Sequence, residues 1–137
     1  MCGAGGSDNR VIKSYKAVEG YLNEFKRRVK NGQFKVSERD KNTVFVRTFN
    51  LVSTKRQQKI LLDLCIEDYV YALPSKMEGN EGQHLYVFIR KFPLAKPLSA
   101  LEEVLVNIKV DMIAGEDQVA IVVSFHEADR DEDHPYR

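Results

Sequence analysis

Three runs in the last third of the chain, His84 to Phe92, Glu103 to Met112 and Gln118 to His126, repeat their apolar residues every second position. That period belongs to the β-strand, whose side chains point alternately to the two faces of a sheet. Ala114-Gly115-Glu116-Asp117 supplies a hairpin turn between the second and third runs. Pro93 to Leu101 holds two prolines, which lack the N–H a central strand must donate, so it reads as a link. An antiparallel meander of three or more strands is therefore expected.

The alternation also sorts the side chains. One face collects Leu85, Val87 and Ile89, then Val104, Val106, Ile108 and Val110, then Val119, Ile121, Val123 and Phe125. Nearly all aliphatic, it has to be covered. The other collects His84, Tyr86, Phe88 and Arg90, then Leu105, Asn107, Lys109 and Asp111, then Ala120, Val122, Ser124 and His126.

The cover comes from upstream. Val11, Tyr15, Val18, Leu22, Phe25 and Val29 step by fours and threes, one stripe of a helix. Ser7 or Asp8 is placed to cap its start, and Asn31-Gly32 to stop it. Phe34 to Val36 suits a short strand and Glu38 to Asn42 a polar turn. TVFVRTFNLV fits either a β-branched strand or a helical stripe through Val46, Phe49 and Val52. Ser53 then caps a second helix, Thr54 to Leu64, burying Ile60, Leu61 and Leu64. Pro74 to Gln83, with Gly79 and Gly82, reads as a mobile loop. The expectation is an α+β fold: N-terminal helices packed on a C-terminal antiparallel sheet, as one domain over 10–127. Flexible tails are expected at 1–9 and, acidic, at 128–137.

Charge is segregated along this plan. Between Arg10 and Lys59 fourteen Lys/Arg face four Asp/Glu, whereas from Leu61 to Arg137 seven face fifteen. The net +1 therefore conceals a basic half, which is suited to a polyanion or an acidic partner. No apolar run approaches the ~20 residues of a membrane span. MCGAGGSDNR has no apolar signal core, and Cys2 and Cys65 make a poor disulfide framework, so a reduced cytoplasmic location is expected. Neither cysteine has zinc-site spacing, and no metal or other cofactor is expected. Phosphate-cradling glycine loops, HExxH and nucleophile elbows do not occur.

The polar strand face is where chemistry is expected. His84 and His126 are assigned proton transfer, Arg90 and Lys109 the holding of a phosphodiester, and Tyr71 is a further candidate.

From Phe25 to Asp129 the chain resembles the MqsR-type toxins of bacterial type II toxin–antitoxin pairs. The matching segments are FKRRVKNGQF, RDKN at Arg39–Asn42, ILLDLCIEDY at Ile60–Tyr69, LYVF at Leu85–Phe88, NIKV at Asn107–Val110 and IVVSFHEAD at Ile121–Asp129. The resemblance implies a RelE-like fold, metal-independent endonucleolytic cleavage of messenger RNA, and a cognate antitoxin protein as partner; under it Lys26, Arg27, Lys30, Lys55, Arg56 and Lys59 on the helices would track the RNA backbone and Tyr86 would stack a base. Three positions depart from the family pattern: Tyr71 stands where a Lys is expected, Leu85 near an expected Gln, and Leu105 at an expected Tyr. A catalytically inactive relative that binds RNA or protein is the alternative.

Overall fold

A computed structural model describes residues 9–113 and 118–137. In order these form α1 (Tyr15–Lys30), β1 (Phe34–Val36), α2 (Asp40–Thr48), α3 (Thr54–Leu62), a 3₁₀ turn (Ile66–Asp68), β2 (Tyr69–Pro74), β3 (His84–Leu94), β4 (Glu102–Met112) and β5 (Ala120–Glu127). The architecture is α+β, three N-terminal helices on a five-stranded sheet of order β1-β5-β4-β3-β2. β1 runs parallel to β5, and every other pairing is antiparallel. The expected caps at Ser7 or Asp8 and the Ala114–Asp117 turn lie outside the described residues.

α1 begins later than its stripe suggested. Ser14 caps it, its Oγ accepting from the Ala17 N–H at 3.1 Å. Val11 stands before the helix and bridges Ala72 at the outer edge of β2. Val18, Leu22, Phe25 and Val29 bury the stripe, and Gly32, at φ 74°, ends the helix. Arg28 is also buried: it binds Glu24 at 2.7 Å and the carbonyls of Ile113 and Val119 at 3.1 and 3.2 Å, tying α1 to the β4–β5 end of the sheet.

The ambiguous segment is helical, and the helix starts inside the expected polar turn, at Asp40. As α2 it places Asn42, Phe45 and Phe49 on one face; a strand would have split them. Asn42 then does the work of a missing strand. Beyond Val122 β5 has lost β1 as a neighbour, and there Asn42 Nδ2 donates to Val123 O at 3.1 Å while Phe125 N–H donates to Asn42 Oδ1 at 2.8 Å. This capped edge fixes where the N-terminus of α2 lies against the sheet. Ser53 caps α3 as expected.

β3 continues through Pro93 to Leu94, where a link was expected. β2 accompanies β3 only as far as Phe88, so Pro93 sits on an edge whose N–H has no obligatory acceptor.

The strand faces need two corrections. Tyr86 pairs with Val110 and Phe88 with Ile108, so the aromatic side of β3 joins the aliphatic side of β4 beneath the helices. Leu85, Val87 and Ile89 lie on the opposite face with Val70 and Tyr71. Both sides of β3 are apolar, so alternation carried no information about which side faces inward. In β5 a register shift opposite Lys109 and Val110 changes the phase midway: Ala120 and Val122, expected on the polar face, are in the helix-side core, whereas Phe125 is in that core and Ser124 and His126 pair with Lys109 and Asn107 on the far side, as expected.

The C-terminal segment is not a free tail. Ala128 N–H donates to Leu105 O, Arg10 pairs with Glu132 at 3.5 Å, and Tyr136 meets Tyr15 edge-on at 5.4 Å and Tyr69 stacked at 6.1 Å. The Tyr136 hydroxyl donates to Lys13 O. Residues 128–137 therefore cross from β5 to the β2 edge.

Candidate nucleic-acid interface

On the sheet face away from the helices, Lys109 lies in a row across the strands with Tyr71, Val87 and Ser124. Valine and serine neighbours are short, so its side chain stands at the floor of a cavity of about 590 Å³. Arg39, from the start of α2, and Lys76, from the β2–β3 loop, line the same cavity, with Leu73, Met77, Leu85 and Val123 as apolar wall. Burial, followed by the charges of Arg39, Arg10, Lys76 and Lys41, depresses the Lys109 pKa below its ordinary value.

Among the described residues one carboxylate lines this cavity, and it is hydrogen-bonded to neutral donors. Asp111, 1% exposed, accepts from Ser75 Oγ at 2.5 Å and from Asn80 Nδ2 at 2.6 Å. Among the described residues none of Arg39, Lys41, Lys76 or Lys109 forms an ion pair. Arg39, Lys76 and Lys109 thus outnumber the Asp111 carboxylate in the lining, an excess of positive charge that a bound anion would relieve.

His126 is on this face too, level with Asn107 and diagonal to Lys109, which puts their Cβ atoms roughly 7 Å apart. Tyr71 shares the face but is closed off: the Arg10 guanidinium lies 4.2 Å over its ring and the residue is 9% exposed. Burial raises its phenol pKa.

The other expected site residues lie elsewhere. His84, two residues before Tyr86, is on the helix side, with Nδ1 3.3 Å from Lys13 Nζ. Arg90 is on that side as well, bound to Asp63 O and 3.5 Å from Asp68 Oδ2, where it braces the 3₁₀ turn. Tyr86 is buried with its ring stacked 3.6 Å from Tyr21, which leaves no face for a base. His84, Arg90 and Tyr86 are thus not neighbours of Lys109 and His126, because the phase of β3 is the reverse of the one expected.

Lys26, Arg27 and Lys30 on α1 and Lys55, Arg56 and Lys59 on α3 belong to the helical layer, on the side of the sheet away from Lys109. Two are partly engaged: Arg27 binds Glu24 at 2.6 Å and Gln118 at 3.0 Å, and Arg56 donates to Asn50 O at 3.2 Å. They form a second basic surface, separate from the cavity.

Arg39, Lys41 and Lys76 were not singled out from the sequence. Arg39 and Lys41 carried a signal in the basic turn RDKN; Lys76, alone in an acidic loop, carried none. Among the described residues no cluster of His, Cys, Asp and Glu is arranged to hold a metal ion, and no helix is long and apolar enough to cross a membrane.

No protein-family model, no curated protein and no solved structure matches this chain.

Proposed function

We propose that this protein binds single-stranded RNA on the open face of its sheet and cleaves it without a metal, as a toxin of the MqsR type. The observation that carries the reading is Lys109, half-buried in a cavity where it, Arg39 and Lys76 outnumber the Asp111 carboxylate. A phosphodiester satisfies such a site, and phosphate contacts of this kind give salt-dependent affinity.

For cleavage, His126 takes the proton of a ribose 2′-hydroxyl, whose oxygen attacks the adjacent phosphorus. The bond from phosphorus to the 5′-oxygen breaks, and Lys109 delivers a proton to that leaving oxygen. A lowered ammonium pKa makes it the better acid for this step. Arg39 and Lys76 balance the charge on the pentacoordinate phosphorus. The products are a 2′,3′-cyclic phosphate and a 5′-hydroxyl. Cytoplasmic messenger RNA is the substrate under this reading, and an antitoxin protein is its neutralising partner.

A second reading is an RNA-binding relative without activity. It is favoured by the placement of His84 and Arg90 away from the face, which leaves only His126 and Lys109 for chemistry. Incubation with a long single-stranded RNA in EDTA separates the two. Fragments ending in cyclic phosphate, lost in Lys109→Gln and in His126→Ala, support cleavage. Salt-sensitive retention of intact RNA supports the inactive binder, and absence of both refutes the RNA reading.

A further inference from the structure

Where α2 passes the edge of β5, a groove of about 340 Å³ opens beside the cationic cavity. Its walls are Val44, Phe45 and Phe49, and its rim carries the carboxylates of Asp40, Glu127 and Asp129 against one lysine, Lys41, with His126 beside them. Val44 is 63% exposed, an aliphatic side chain left in solvent on an otherwise amphipathic helix. The groove and the cavity are adjoining rooms. Arg39 lines one and Lys41 the other, two residues apart, and His126 in the groove lies diagonal to Lys109 in the cavity.

The excess charge of the two is opposite: cations outnumber carboxylates in the cavity, and carboxylates outnumber the lysine in the groove. A phosphate is attracted to the cavity and repelled from the carboxylate rim, so a chain bound by its phosphate in the first can offer only something uncharged to the second. Apolar walls suit the flat face of a base. Carboxylates accept hydrogen bonds and donate none. Adenine, cytosine and guanine each present an exocyclic amino group to such acceptors. Uracil presents a single N–H flanked by two carbonyl oxygens, which the rim repels.

We infer that the α2–β5 groove is a base-binding subsite that selects an amino-bearing base and rejects uracil next to the phosphate held at Lys109. The inference rests on the RNA reading above and adds the determinant of its selectivity.

The test uses uridylate decamers carrying one central adenine or cytosine, compared with the all-uridine decamer by fluorescence anisotropy. The expected preference for the substituted decamers is about tenfold, the scale of one good pair of base contacts. It should collapse to near unity in Glu127→Gln with Asp129→Asn, both exposed positions, and in Val44→Trp, which fills the groove from the solvent side. Lys109→Gln should weaken all decamers alike and leave the ratio unchanged. Equal, salt-sensitive binding of every decamer by the unmodified protein overturns the subsite and leaves the RNA reading intact. A preference that survives the rim and groove variants also overturns it. No salt-sensitive binding of any decamer removes both.

Discussion

Asn42 offers the sharpest test of how the fold supports the site. It is 1% exposed, and its amide makes three hydrogen bonds: Nδ2 to Ser37 O at 2.9 Å and to Val123 O at 3.1 Å, and Oδ1 from Phe125 N–H at 2.8 Å. Asn42→Ala deletes all three and leaves a buried strand N–H and two carbonyls without partners. Each orphaned group costs about 1–3 kcal/mol, and some rehydration is available at a sheet edge, so a loss of about 3 kcal/mol is expected. With a urea slope of about 2 kcal/mol per molar, the unfolding midpoint falls by roughly 1.5 M at unchanged slope. The same bonds hold the start of α2 over the sheet, so RNA affinity should fall even where the variant remains folded, because Arg39 and Lys41 lose their anchor. Asn42→Asp keeps an acceptor for Phe125 but sets a carboxylate against two carbonyls, and should be no better than alanine. Urea unfolding followed by circular dichroism reads the first effect. A midpoint shift below about 0.3 M would refute the claim that Asn42 stands in for a strand.

Lys109→Met should be neutral or stabilising near neutral pH, because burial and four cations already disfavour the charged amine. The depressed pKa means that, between it and the ordinary 10.5, the unfolded chain holds more protons than the folded one. Wild-type stability therefore rises with pH in that window relative to Lys109→Met, a narrowing gap that thermal melts at successive pH values would register. Glu24, bound to Arg27 and Arg28, has its pKa lowered to about 2. Its contribution is complete above 4.5 and is lost as pH falls towards 2, so Glu24→Gln should flatten the acid limb of the stability curve. Tyr136→Ala removes two aromatic contacts and a hydroxyl donor, and should cost about 2 kcal/mol. Indistinguishable melting of the variant and the parent would mean that residues 128–137 do not brace the fold. Tyr86→Phe should leave RNA affinity unchanged, since that ring lies under Tyr21; loss of binding in a filter assay would contradict the placement.

Local signals that involve a single element were readable from the chain. The α1 stripe, the Ser53 cap, the Asn31-Gly32 stop and the phase of β4 each depend on residues a few positions apart, and each is present in the fold. The polar tail was misread because composition alone does not register that Tyr136 finds Tyr15 and Tyr69 more than sixty residues away.

What the chain by itself determined was its α+β class, because periods of 3.6 and 2 are set by backbone geometry and show wherever one side is apolar. Tertiary structure decided which groups meet. With hydrophobic side chains on both sides of β3, inward and outward could be assigned only by the helices that cover one of them. The bulge in β5 put Ala120 and Val122 on the helix side and left Ser124 and His126 beside Lys109, where the alternation had them. The cationic cavity is likewise a product of packing: Arg39, Lys76 and Lys109 are scattered along the sequence and converge only because an asparagine edge cap and a loop bring them over the same strand.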